Sequence, residues 1–178
     1  MVMKTILLLY ISLLLSSFTF FESKQSLENI SRKKAAYVTE STNLKNTLKD
    51  KPTLLFSIND KWYYLVVKNQ GELYEYLAIL DSKNQLEYLE SCIIENPKDF
   101  LVNAFSKELY RKEFTDLNAE FYKDGYEISN GNPTYFYFKD KEGKLYGESK
   151  LTTIINPIPI DSKLYYHMLM KTLSLSNK

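Results

Sequence analysis

Residues 53–94 read TLLFSINDKWYYLVVKNQGELYEYLAILDSKNQLEYLESCII. Four runs in it, Thr53–Ile58, Lys61–Lys68, Glu72–Leu80 and Gln85–Ile94, are rich in β-branched and aromatic residues. Between them stand Asn59-Asp60, Asn69-Gln70-Gly71 and Asp81-Ser82-Lys83-Asn84. These are turn residues, because they tolerate left-handed backbone or hydrogen-bond their own loop. Links this short leave room only for antiparallel neighbours, so the stretch predicts a four-stranded meander. Trp62–Val67 is apolar on both alternating faces, the mark of a strand covered on both sides. In Glu72–Leu80, Leu73, Leu77 and Ile79 share one face and Tyr74 and Tyr76 the other.

A helix is expected next, with Asn96 as N-cap, Pro97 in the first turn and Asp99 near the positive end of the dipole. Phe100, Leu101, Ala104, Phe105 and Leu109 recur at helical spacing, with Arg111 and Lys112 toward the end. The second half repeats the theme. Asn118–Lys123, Tyr126–Ser129, Thr134–Lys139 and Lys144–Lys150 read as strands separated by Gly- and Asn-bearing turns. In Tyr135-Phe136-Tyr137-Phe138 the expected arrangement is phenylalanine inward and tyrosine outward. Leu151–Ile155 extends the last strand until Pro157 and Pro159 stop it. Asp161 caps a final helix whose stripe is Leu164, Tyr165, Met168, Leu169 and Leu173. The fold class is α+β: antiparallel β-meander sheet with helices packed on one face, following an N-terminal signal segment.

That segment precedes the domain. Met1–Lys4 is a short positive start, and Thr5–Phe21 (TILLLYISLLLSSFTFF) carries no charge. This is the order of a secretory signal peptide, although no A-x-A precedes a cleavage site. The run is borderline for spanning a bilayer, which takes about 20 residues. Two outcomes follow: a cleaved, extracytoplasmic (periplasmic or secreted) product, which is favoured, or an uncleaved N-terminal anchor. The chain therefore divides into 1–23 (leader), 24–51 (a polar, weakly helical arm) and 52–178 (one α+β domain). In the arm, Leu27, Ile30, Lys34 and Tyr37 fall on one face, and its first half reads as a tether.

Composition narrows the chemistry. Formal net charge is +1 over 178 residues, so no global field attracts nucleic acid or an anionic membrane. The arm is basic and the meander acidic, which argues against a single-strand nucleic-acid platform on the sheet. One cysteine, Cys92, excludes an intrachain disulfide, and with one histidine, His167, it excludes a zinc cluster. No glycine-rich phosphate loop occurs, so no cofactor and no metal are expected. Asn29-Ile30-Ser31 matches a glycosylation sequon, which matters only in a eukaryotic secretory pathway.

No catalytic set stands out. His167 is expected on the exposed side of its helix, and Cys92 is expected as a small buried hydrophobe. Glu75 and Glu90, on adjacent strands, are the carboxylates best placed to face each other for acid–base hydrolysis. Tyrosine is abundant, with 15 copies against one tryptophan. Rigid rings add contact area at low entropic cost. Tyr74, Tyr76, Tyr135 and Tyr137 are the expected binding face, and another protein is the expected partner. The sequence thus reads as an exported, non-enzymatic binding protein of accessory, inhibitor or immunity type. A carboxylate-dependent hydrolase and a membrane-tethered structural protein are the alternatives.

Overall fold

A computed structural model of the chain describes residues 29–40, 42–105, 132–152 and 163–178. The leader, the strands expected at 118–123 and 126–129, the end of the central helix at Leu109, Arg111 and Lys112, and the Asp161 cap lie outside the described residues. The chain divides into two compact units, 1–33 and 34–178. Of the first, residues 29–33 are described; they are helical, with Arg32 donating to the Asn29 side chain at 3.3 Å.

Turn chemistry sets the sheet. Strand β1 (Thr53–Ile58) joins β2 (Trp62–Asn69) through Asn59 and Asp60, both left-handed at φ +60° and +50°. The Lys61 N–H closes the turn onto the Ile58 carbonyl at 3.1 Å. Two successive positive φ values make a type I′ turn, whose twist matches that of the flanking strands. Gln70 and Gly71, at φ +51° and +94°, do the same between β2 and β3 (Glu72–Leu80). The next hairpin uses a longer device. The Asp81 carboxylate accepts the N–H groups of Lys83 and Gln85 at 2.8 and 2.7 Å, and Asn84 turns left-handed before β4 (Leu86–Ile93). The same loop recurs between β5 (Pro133–Lys139) and β6 (Leu145–Thr152), where Asp140 accepts from Glu142 and Lys144 and Gly143 is the left-handed residue.

The six strands form one sheet in the order β4-β3-β2-β1-β5-β6, every neighbouring pair antiparallel. The meander grows outward from β1, and the second half of the chain returns to pair on the other side of β1, with Leu55 opposite Tyr137. β1 is thus interior and buried along its whole length.

Alternation sends the strand residues into two cores. On one face Leu54, Phe56, Tyr64, Val66, Phe136 and Phe138 pack against Leu101 and Ala104, at helix α3 (Asp99–Asn103), and against Leu164, Tyr165, Met168 and Leu169 of the last helix, Lys163–Leu173. On the other face Leu55, Tyr63, Leu65, Tyr76, Tyr135 and Tyr137 pack under Ala35, Val38, Leu44 and Leu48. Those four residues come from helix α1 (29–40) and helix α2 (Thr42–Leu48). The last helix is called α4 below.

The α+β class and the antiparallel sheet agree with the sequence reading. Helices, however, cover both faces rather than one. The arm's buried stripe is Ala35 and Val38, one helical turn apart, while Ile30 and Tyr37 are 47% and 46% exposed. Small apolar residues among lysines give a weak periodic signal, so the sequence did not single out Ala35 and Val38. The central helix also begins later than expected. Asn96 is left-handed at φ +50° and the cap position falls at Lys98, with no side-chain cap bond. The residue before a proline is steered away from right-handed helix, and asparagine tolerates the left-handed alternative.

Candidate functional site

Alternation along β3 puts Glu75 on the α4 face, between Leu73 and Leu77. It lies opposite Val66 on β2 and Cys92 on β4. A carboxylate on a face that packs under a helix needs partners, since an unpaired buried charge is expensive. The Glu75 side chain is 12% exposed and has three. Lys171 of α4 reaches both carboxylate oxygens at 2.9 Å. The Tyr64 hydroxyl donates to Oε2 at 3.0 Å, and the Cys92 thiol donates to Oε1 at 3.2 Å.

His167, one turn before Lys171 on α4, completes the chain of contacts. Its Nε2 lies 3.1 Å from the Tyr64 hydroxyl. That hydroxyl has one proton and gives it to Glu75, so His167 is assigned as the Nε2–H donor. The imidazole packs edge-on against Tyr64 and Phe100, with ring centres 5.8 and 5.5 Å apart.

The electrostatics follow. Burial by itself raises the Glu75 carboxyl, but the bonds from Lys171, Cys92 and Tyr64 and the Lys171 charge outweigh it, and its pKa is lowered. Burial, with the neighbouring carboxylate, pushes the Tyr64 hydroxyl up. Burial and the hydrogen bond to Glu75 raise the Cys92 thiol. Burial and the Lys171 charge lower His167 against the pull of Glu75. The cluster holds a carboxylate anion, a neutral imidazole and two protonated hydroxyl and thiol groups, and it joins α4 to three strands.

A second pair lies beside it. Lys178, past the end of α4, binds Glu90 and the Tyr88 hydroxyl on β4 and sits over the Tyr88 ring at 4.6 Å. Glu90 shares the face of Glu75 but stands opposite Leu77, so each glutamate has its own lysine. The two are not a convergent acid–base pair. Cys92 is exposed, not buried, and His167 is half-buried behind Tyr64, not on the free surface. Both contact the same network rather than each other. Among the described residues no group of three or more His, Cys, Asp or Glu is placed to hold a metal ion.

The four tyrosines do not form an open face. Tyr135 is fully buried, Tyr137 and Tyr76 nearly so, because Ala35 and Val38 of α1 and Leu44 and Leu48 of α2 pack on that side and β5 is interior to the sheet. Tyr74 is half-buried, its hydroxyl on Glu72 at 2.8 Å. Tyr64 and Lys171 were not singled out from the sequence. The available signal was Glu75 itself, a lone charge on the aliphatic face of β3.

The open surface near this cluster is the sheet edge. β4 ends the strand order, and Glu87, Glu90, Ser91, Cys92 and Ile93 are exposed along it. Antiparallel sheet with helices on both faces defines an α+β protein, and that class is as far as likeness reaches. Comparison with protein-family models, with curated proteins and with solved structures finds no match to the chain.

Proposed function

We propose that this chain is an exported, non-enzymatic protein that works by binding another protein. The observation that carries the reading is the β4 edge. Eight residues long, it has one side unpaired among the described residues and Ile93 44% exposed. An exposed edge of this length offers its unpaired N–H and C=O groups as a template for pairing with another chain. The leader at residues 1–23 supplies the compartment. Glu75 and His167 are engaged in holding α4 to the sheet, and the Cys92 thiol is bonded to Glu75. Among the described residues no helix is long and apolar enough to cross a membrane. The tethered alternative therefore rests on retention of the leader.

The test is a native mass spectrum of the protein, tagged through a flexible C-terminal linker and isolated gently from its own host. A stoichiometric complex with a second protein is expected, with the mass of residues 1–23 missing. A bare chain that turns over substrates in hydrolase screens would reverse the reading.

A further inference from the structure

The ladder between β3 and β4 fixes which backbone groups face outward. The Ile94 N–H donates to the Leu73 carbonyl at 2.8 Å, and the two residues continue the register in which Tyr74 faces Ile93. In an antiparallel pair, hydrogen-bonded and non-bonded positions alternate. Cys92 and Glu90 therefore turn their backbone groups toward β3. Leu89, Ser91 and Ile93 turn theirs away from the sheet, where nothing described meets them. The register shifts between Ile79 and Leu80, which leaves Glu87 opposite no β3 residue as a bulge at the start of the edge.

The charged residues of the strand itself have one sign. Leu86–Ile93 contains Glu87 and Glu90 and no lysine or arginine, and Glu95 follows. Lys178 neutralises Glu90. Glu87 and Glu95 are exposed and form no ion pair among the described residues, one at each end of the three outward amides. A second copy of β4 would bring glutamates against glutamates, and like charges across a strand pair are destabilising. A lysine-bearing strand meets the opposite sign at both ends and Leu89 and Ile93 between.

We propose that β4 is a docking edge for an extended, lysine-bearing segment of the partner protein, added as one further strand beside Leu89, Ser91 and Ile93. Strand addition takes affinity from main-chain hydrogen bonds and specificity from alternate side chains. The proposal rests on the protein-binding reading above and adds the site and the chemistry of the partner.

The probe is a fluorescent peptide of about nine residues, long enough to run from Glu87 to Glu95. It has lysine at both ends and valine and threonine alternating between. A peptide with glutamate at both ends is the control. Anisotropy titration of the full chain should show saturable binding that weakens with salt and is absent for the control. Ser91→Pro removes one outward N–H without touching the β3 ladder, as edge strands allow; it should weaken binding at least tenfold. Glu87→Lys with Glu95→Lys should do the same at low salt. In the unmutated chain, hydrogen exchange at Leu89, Ser91 and Ile93 should be fast, and slow when the peptide is added. Equal affinity for Ser91→Pro and the unmutated chain would overturn the proposal. So would protection of these amides in the free monomer, which would mean the chain covers its own edge, or protection only in a self-associated dimer. A native partner complex that survives Ser91→Pro would sink the edge and leave the protein-binding reading standing.

Discussion

The Tyr64 hydroxyl donates to Glu75 across the β2–β3 pair at 3.0 Å, while the hydroxyl of its neighbour Tyr63, on the opposite face, is buried with no hydrogen-bond partner among the described residues. Removing these two hydroxyls should have opposite effects. Tyr64→Phe takes a donor from Glu75 and the acceptor from His167, and should cost about 1–3 kcal/mol. Tyr63→Phe removes an unsatisfied polar atom and should leave stability unchanged or raise it by about 1 kcal/mol. Urea midpoints of the two variants measure the difference directly.

Acid should loosen α4 in two stages. His167 has a folded pKa below its usual 6.5, so the unfolded chain binds more protons in that window and stability falls as pH drops through it. Glu75, also depressed in the folded state, contributes stability that is complete above the usual carboxylate value near 4.5. That contribution is lost as pH falls through the lower folded value. His167→Gln keeps a donor for Tyr64 and should flatten the upper stage only, read as the thermal midpoint against pH.

Cys92 should be a slow nucleophile despite its exposure, because the thiolate is the reactive form and Glu75 opposes it. Alkylation by iodoacetamide near neutral pH should be slower than for a free cysteine. Glu75→Gln should speed it several-fold. An unchanged rate would show that the Glu75 contact does not set the thiol's reactivity.

Tyr135→Ser should unfold or severely destabilise the protein, at a cost of about 3–5 kcal/mol for emptying an aromatic site in the core. A surface tyrosine would lose binding with its thermal midpoint intact. Circular dichroism melts separate the two results.

At Gly143 the backbone is left-handed at φ +81°. Gly143→Ala should lower stability by about 1 kcal/mol. Its counterpart Asn84, at φ +60° in the equivalent loop, should accept glycine without loss.

The meander was legible because its turns name themselves: Asn59-Asp60, Gln70-Gly71 and Asp81 each specify a loop, and β3 runs over the residues expected of it. The last helix was legible from its Leu164/Met168/Leu169 stripe. What the sequence hid depends on contacts between distant segments. Whether Tyr135 faces water or a core is decided by Ala35, Val38, Leu44 and Leu48, about a hundred residues away, of which Ala35 and Val38 are small enough to leave little periodic signal. The glutamate cluster was half legible. Glu75 was named only as a carboxylate facing Glu90 on the adjacent strand; its partners Tyr64 and Lys171 lie on another strand and on α4, and only the packing of α4 brings them together.

The most direct test is to compare native mass spectra of the unmutated protein and Ser91→Pro, both isolated from the host under one gentle protocol. A second protein bound to the unmutated chain and lost from a folded Ser91→Pro chain is the predicted result. An unmutated chain that is always bare, or a complex that keeps its partner with proline at position 91, would contradict the account.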